Sequence, residues 1–245
     1  MLLGVCITSS SIFYILPITI MSEIVIYLHA NFQYTNRMKA IRNILLCATM
    51  VATMSCGQSA PEAAADGGNA VIENIMSRRS IRKYKPETVS REVMTQILEC
   101  GINAPNGQNK QSWEVRVVDN PATMDEIKQM MAASFPEEEA KRVTGCFRGA
   151  PVMVFIARDL SYDFSAYDCG LLAGNMMLSA NSLGVGSVCL GSPVRFINDS
   201  EACKAIYEKL GFSPGYKLAL CVGFGYADET PDAKPRDRSK YKFID

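Results

Sequence analysis

Histidine is nearly absent from this chain. The 245 residues include one, His29, and it lies ahead of the segment whose pattern turns globular. That scarcity excludes Ser-His-Asp and Cys-His catalysis in the folded part and leaves no histidine set for a metal, so no metal site is expected. The nine cysteines (Cys6, Cys47, Cys56, Cys100, Cys146, Cys169, Cys189, Cys203 and Cys221) contain no C-x-x-C pair. The spacings of zinc ribbons and of thioredoxin-like redox pairs are therefore missing. Cys189 and Cys221 stand in apolar runs and read as small buried hydrophobes. Net charge is lacking too. Lys+Arg and Asp+Glu number 25 each, and the isoelectric point is about 6.6. Such a chain has no general basic field for nucleic acid, and any basic patch in it is local and suits a small anion.

Apolar residues, by contrast, are plentiful at 48%, enough for a sizeable core in one domain or two small ones. Residues 1–28 are largely apolar, interrupted by Pro17 and Glu23, and have the length of one imperfect membrane span. A better-formed signal follows. Residues 38–42 are basic, residues 44–51 are apolar, and Thr53-Met54-Ser55 places small residues before Cys56. This is the layout of a cleaved export signal. It resembles a bacterial lipoprotein signal, whose cysteine is lipidated and becomes the mature N-terminus, with Thr53 where leucine is usual. The expectation is an upstream extension or hydrophobic segment at 1–37, a signal peptide at 38–56, a flexible tether at 57–69 and a folded domain at 70–245. Losing residues 1–56 removes Arg37, Lys39, Arg42 and Glu23, which leaves 22 basic and 24 acidic residues, still near neutrality. The expected location is the cell envelope, lipid-anchored through Cys56 or periplasmic. The cytoplasm is the alternative if residues 38–56 are not a signal.

From residue 70 the patterns are those of a mixed fold. Residues 71–76 read as a short helix. Ser90 is an N-cap for a helix to about Asn103, with Val93, Ile97, Leu98 and Ile102 on one face. Residues 104–112 carry every breaker signal of a loop. Residues 113–118 alternate as a strand, and Pro121 opens a helix to Ala133. Residues 151–157 are apolar on both faces, as in a central strand. Residues 167–183 predict a long, mostly apolar helix that is buried, against another subunit in one reading. A strand at 186–191, an amphipathic helix at 200–210 stopped by Gly211, a buried strand at 216–224 and an extended tail from Ala227 complete the order. The regular βαβ rhythm is missing, so the fold class is α+β. The glycines Gly184, Gly186 and Gly191 also fail to make the G-x-G-x-x-G fingerprint.

Three polar patches interrupt this apolar chain. Ser77-Arg78-Arg79-Ser80-Ile81-Arg82-Lys83-Tyr84 packs four basic side chains and two aliphatic hydroxyls into eight residues. Residues 104–113 run Ala-Pro-Asn-Gly-Gln-Asn-Lys-Gln-Ser-Trp, and Lys234-Pro235-Arg236 lies near the end. Any one of them alone reads as a solvated face or a polar turn. Together they answer the needs of a flavin mononucleotide. Its phosphate suits Arg78, Arg79, Arg82, Lys234 and Arg236, because a guanidinium fork matches phosphate oxygens. The donor and acceptor edge of its ring suits Asn106, Asn109 and Gln111. Trp113 and the turn at 188–191 are candidates to cover the ring face.

These stretches, with Leu183-Gly184-Val185-Gly186-Ser187-Val188-Cys189-Leu190-Gly191 and Val222-Gly223-Phe224-Gly225-Tyr226-Ala227, resemble the FMN-dependent nitroreductase family over residues 71–236. The resemblance implies a nitroreductase-like α+β fold. Its sheet is mixed but mainly antiparallel, flanked by helices, in an interlocked homodimer with two FMN sites at the subunit interface. By motif, Arg78, Arg79, Ser80 and Arg82 would hold the phosphate and ribityl chain, and Lys234 and Arg236 would close on the phosphate. Asn109 and Gln111 would face the ring, with Pro105 and Asn106 alongside, some of them from the partner subunit. Cys189, Leu190 and Gly191 would line the ring's other side. Ser112 stands where proline is common, which would loosen the loop, and Asn106 where serine is usual. Acceptor choice would lie in loops at 134–149 and 159–167. Within the second loop, Tyr162 and Phe164, with Tyr167, either shape an acceptor pocket or serve the core.

The implied reaction is a ping-pong hydride transfer from NADH or NADPH, through FMN, to a nitroaromatic, quinone or other electron-poor small molecule. The chemistry rests with the cofactor, and no side chain reads as a general acid or base. An envelope location, where free NAD(P)H is scarce, favours instead an exported flavoprotein with another donor or a specialised reaction. A membrane-tethered flavin-binding protein without turnover is the alternative from outside the enzymes.

Overall fold

The computed structural model describes residues 69–244. The segments read as extension, signal and tether, with His29 and Cys56, lie outside the described residues.

Local chemistry sets the element ends. Asn69 caps α1 (Ala70–Ser77) by accepting from the Val71 and Ile72 N–H groups. Ser90 caps α2 (Arg91–Ile102) through the Val93 N–H, as its sequence position predicts. Strand β1 (Trp113–Val118) is followed by α3 (Pro121–Ala132), with Pro121 in the first turn, where its missing N–H costs nothing. The stretch at 134–149, expected as a loop, is instead mostly helical: α4 (Glu137–Thr144) and a 3-10 turn, Gly145–Phe147. Three glutamates in its first turn and Lys141 and Arg142 in its last suit the helix dipole, a charge signal that apolar periodicity does not carry.

Strand β2 (Val152–Asp159) leads to the long helix α5 (Ser165–Ser182), then β3 (Gly186–Leu190), α6 (Ser192–Asn198), α7 (Cys203–Leu210) and β4 (Tyr216–Gly225). The short α6 is not anticipated by the sequence reading, and α7 begins three residues later than expected because Ser200 spends its hydroxyl on the Ala202 N–H. Gly211 ends α7 in the left-handed conformation, φ 67°. The tail is extended apart from a 3-10 turn at Arg238–Lys240.

The sheet order is β1-β2-β4-β3, and all three pairings are antiparallel. Among the described residues, parallel pairing is confined to one isolated bridge, Ser80 with Ser187, so the expected mixed character reduces to that contact. Successive residues of β2 serve opposite faces. Met153 and Phe155 enter the cluster that includes residues of α3, α4, α6 and α7. Val152, Val154 and Ile156 enter the cluster that includes residues of α2 and α5. Both faces are thus covered, and each large apolar side chain removed from water contributes roughly 1.5–3 kcal/mol. Met94, Ile97 and Gly101 form the buried face of α2, whereas Ile102, expected inward, is exposed. Helix α5 is buried on one side only. Leu172 and Met176 are fully covered, while Tyr167 is 69% and Leu171 46% exposed.

Candidate functional site

The basic cluster follows α1, and α1 is docked on α5 by amides. Asn74 donates to the Leu178 carbonyl at 2.9 Å, and Asn181 donates to the Asn74 side-chain oxygen at 2.7 Å. Next, residues 80–85 are laid on the sheet edge and the tail is laid on them. The Ile81 N–H donates to Ser187 of β3 at 3.0 Å, the Lys85 N–H to Tyr226 at 2.9 Å, and the Asp228 N–H to Lys83 at 3.0 Å. One Glu229 carboxylate oxygen accepts from the backbone N–H groups of both Arg82 and Lys83.

Tyr84 fills the corner of this arrangement. Its hydroxyl donates to the Ile81 carbonyl at 2.7 Å. Burial pushes its pKa well above the usual phenol value, with the Glu229 charge adding to the rise and Arg82 opposing it, so it stays a neutral donor. Gly225 makes room for it: a Cβ there would meet the Tyr84 ring and Pro151 at 2.7 Å.

The result is a cavity of about 450 Å³ lined by Arg78, Arg79, Ser80, Arg82, Lys234 and Arg236, together with Asp232 and apolar Ile75, Met76 and Leu178. Segments some 150 residues apart in sequence thus meet at one place, as the phosphate reading requires. Five cations face one carboxylate, and none of the five forms an ion pair among the described residues. A smaller cavity of about 200 Å³ adjoins it, sharing Arg78, Arg79 and Pro231 and reaching Ser187 and Gly186 of β3.

The amide loop lies apart: Pro105, Asn106, Asn109 and Gln111 do not line either cavity. Its backbone is constrained, with φ of 55°, 54° and 48° at Gln108, Asn109 and Gln111. Left-handed geometry at non-glycine residues costs on the order of 1 kcal/mol each and needs a scaffold to hold it. Buried Asp168 in α5 supplies that scaffold, accepting from the Gly107 N–H at 3.0 Å and from the Ser112 hydroxyl at 2.6 Å. Ser112 therefore anchors the loop, contrary to the expectation that it loosens it. Gly107 packs under Tyr162, whose hydroxyl a Cβ would overlap. Asn106, expected alongside the ring, spends its oxygen on the Gln111 N–H at 2.9 Å and its NH₂ on the Ala104 carbonyl at 3.4 Å. The side chains of Asn109 and Gln111 are exposed and form no hydrogen bond among the described residues.

On β3, Cys189 is exposed rather than buried, while Leu190 points into the core and can offer only backbone outward. Cys221 is fully buried, as expected. Trp113 packs in the core beside α2 and α5 and is not free to cover a ring. The sequence reading missed Asp168, although a signal existed: it is the one charged residue of α5. It also missed Glu229, for which no local signal exists.

The donor set fits a phosphate-bearing flavin. Ser80 and five cations can hold the phosphate, and an exposed amide loop offers ring-edge groups. The chain matches the Nitroreductase family profile over residues 75–226. It is 28% identical to the NADPH-flavin oxidoreductase of Vibrio harveyi over 178 residues, 69% of this chain and 70% of that protein. A crystal structure of a nitroreductase with bound FMN from Desulfitobacterium hafniense superposes with a TM-score of 0.65 at 30% identity, covering 72% of this chain and 99% of that one. An FMN-dependent nitroreductase from Clostridium difficile gives 0.60 at 25% identity, over 73% of this chain and 100% of that one. With the family profile spanning more than half of its length and the fold matching in the same region, this chain belongs to the nitroreductase family.

Proposed function

We propose that the protein is an FMN-dependent NAD(P)H oxidoreductase that reduces electron-poor small molecules such as nitroaromatics or quinones. The observation that carries this reading is the cavity where Arg78, Arg79, Ser80 and Arg82 meet Lys234 and Arg236. Charge-assisted hydrogen bonds from such groups are the strong kind, and Arg pairs with phosphate bidentately. When bound, FMN would supply hydride acceptance and donation at its N5.

The chain's own residues bind and orient. The cations would fix the phosphate, and Asn109 and Gln111 would contact the ring edge. Cys189 and Gly191 would border the ring's other side, with Leu190 contributing backbone. Asp168 would act through Ser112 and Gly107 to keep the amide loop in register. No side chain of this set is placed to act as a general acid or base.

The proposed assembly is a homodimer, with the amide loop of one subunit completing the cavity of the other. Two observations support it. The loop residues do not line their own chain's cavity, and α1 and α5 present exposed apolar side chains, including Val71 at 68%, Met76 at 70% and Tyr167 at 69%. Exposed apolar side chains of this kind are what an interface buries. The test is light scattering on the full chain, where a monomer with full flavin occupancy would overturn this arrangement.

Location is part of the proposal as well: export through residues 38–56, with Cys56 lipidated as a membrane tether. Intact mass of the native protein decides it, since a diacylated species beginning at Cys56 is expected. A diacylated species would put the domain where free NAD(P)H is scarce, and the flavin spectrum then identifies the donor. The first experiment is a visible spectrum of the full chain before and after anaerobic NADH or NADPH. Bleaching of a flavin band, reversed by an acceptor, is the expected result. A flavin band that only dithionite reduces would point to another donor, and absence of flavin after reconstitution with FMN would overturn the reading.

A further inference from the structure

A second cationic cavity lies away from the phosphate cluster. It measures about 350 Å³ and is lined by Lys141, Arg142, Arg148 and Arg195, with Gly145, Cys146, Ser192 and Phe196. No aspartate or glutamate is on its wall. Arg142 pairs with Glu139 and stacks over the Phe196 ring at 5.3 Å, and Arg195 lies 3.6 Å from Asp199. Lys141 and Arg148 have no ion pair among the described residues. Four cations around one concavity repel one another, and an anion bound among them relieves that repulsion.

The backbone is bent to build this wall. Arg148 is left-handed, φ 60°, an uncommon state for a long side chain, and its N–H returns to the Gly145 carbonyl at 3.1 Å. Cys146 brings no nucleophile, because burial pushes its thiol up to about 12. The cavity therefore has the chemistry of binding, not of bond-making. Its position ties it to the flavin reading, since Ser192 opens α6 directly after Cys189-Leu190-Gly191 and Arg195 lies in the same short helix.

We propose that this cavity is an anion subsite for the small molecule that exchanges electrons with the flavin. It takes the 2′-phosphate of an NADPH donor or a carboxylate of the acceptor. This rests on the proposed FMN function for the identity of the ligand, but not for the existence of the site.

The test uses the FMN-saturated full chain and the exposed pair R148Q/R195Q. Pyrophosphate, titrated by calorimetry, should bind the unaltered protein in a salt-sensitive way. It should lose about tenfold or more in affinity in the double variant, the scale of one lost charged hydrogen bond. Catalytic efficiency is then compared for 4-nitrobenzoate against 4-nitrobenzyl alcohol, and for NADPH against NADH. A selective loss with 4-nitrobenzoate places the acceptor's carboxylate here, and a selective loss with NADPH places the donor's phosphate. Equal losses within both pairs, or pyrophosphate binding unchanged by the substitutions, would overturn the proposal. If the chain takes up no FMN, the flavin reading fails by its own spectrum. Pyrophosphate binding then judges the anion site alone.

Discussion

The Ser112 hydroxyl donates to the Asp168 carboxylate across 2.6 Å, with both residues buried and 56 positions apart in sequence. The other carboxylate oxygen takes the Gly107 N–H, so one side chain of α5 holds both ends of the amide loop. Ser112→Ala leaves that carboxylate short of a donor in a dry setting. The expected loss is about 1–3 kcal/mol of unfolding free energy, read by urea denaturation, together with weaker FMN binding. Ser112→Pro should not rescue the loop. Gln111 before it sits at φ 48°, and a residue preceding proline is pushed toward extended geometry. A proline variant as stable as the unaltered chain would show that Asp168 does not set the loop.

The cation cavity predicts a separable effect on the cofactor. Arg82→Ala and Arg236→Ala each remove a group that would meet the phosphate, and FMN affinity should fall about ten- to 150-fold. Thermal stability of the flavin-free chain should hardly move, because Arg82 and Arg236 side chains are exposed and bond only to neighbouring carbonyls. Flavin fluorescence titration gives the first quantity and a melting curve the second. Unaltered FMN affinity in both variants would remove these residues from the site.

How much of this was legible in the sequence follows from where each signal resides. Strand β1 could be read to the residue, since alternation over Trp113–Val118 is local. The helix cap at Ser90 and the stop at Gly211 were equally local. The basic cluster was readable because Arg78, Arg79, Arg82 and Lys83 crowd into six residues, a local signal. Helix α4 was not, since it buries one residue, Val143, and so shows almost no apolar period. Asp168 shows why the loop's rigidity escaped notice: its partners come from another element, and Ser112 taken alone looks weaker than proline. Glu229 is further still from local reading, 147 residues from the Arg82 N–H that it accepts.

Glu114 gives the fold an acid-sensitive contact. Partial burial raises its carboxyl pKa, but the Ser213 N–H at 3.0 Å and the Arg116 guanidinium at 2.8 Å outweigh that and hold it below the usual glutamate value. The folded chain thus binds this proton less readily than the unfolded chain. Its stabilising contribution is complete above the ordinary glutamate range and is lost as pH falls through the lowered folded value. Urea midpoints measured from about pH 6 downward should decline, and Glu114→Gln should flatten part of that slope. An identical slope in the variant would mean that other carboxylates account for all of it.

Cys189 offers a direct probe of which surface meets the flavin ring. It is exposed on β3 between buried Val188 and Leu190, next to Gly191. Burial raises the thiols of Cys146, Cys169 and Cys221 and, in direction, that of Cys189 too, so what separates them is access: the first three are buried and Cys189 is exposed. Maleimide, with labelled positions identified by peptide mass spectrometry, should therefore modify Cys189 but not those three in the flavin-free chain. Reagent must reach the sulfur, so a ring seated against residues 189–191 blocks it. Saturating FMN should slow labelling of Cys189 and leave the buried three unlabelled. Equal labelling of Cys189 with and without bound FMN would place the ring elsewhere and detach β3 from the site.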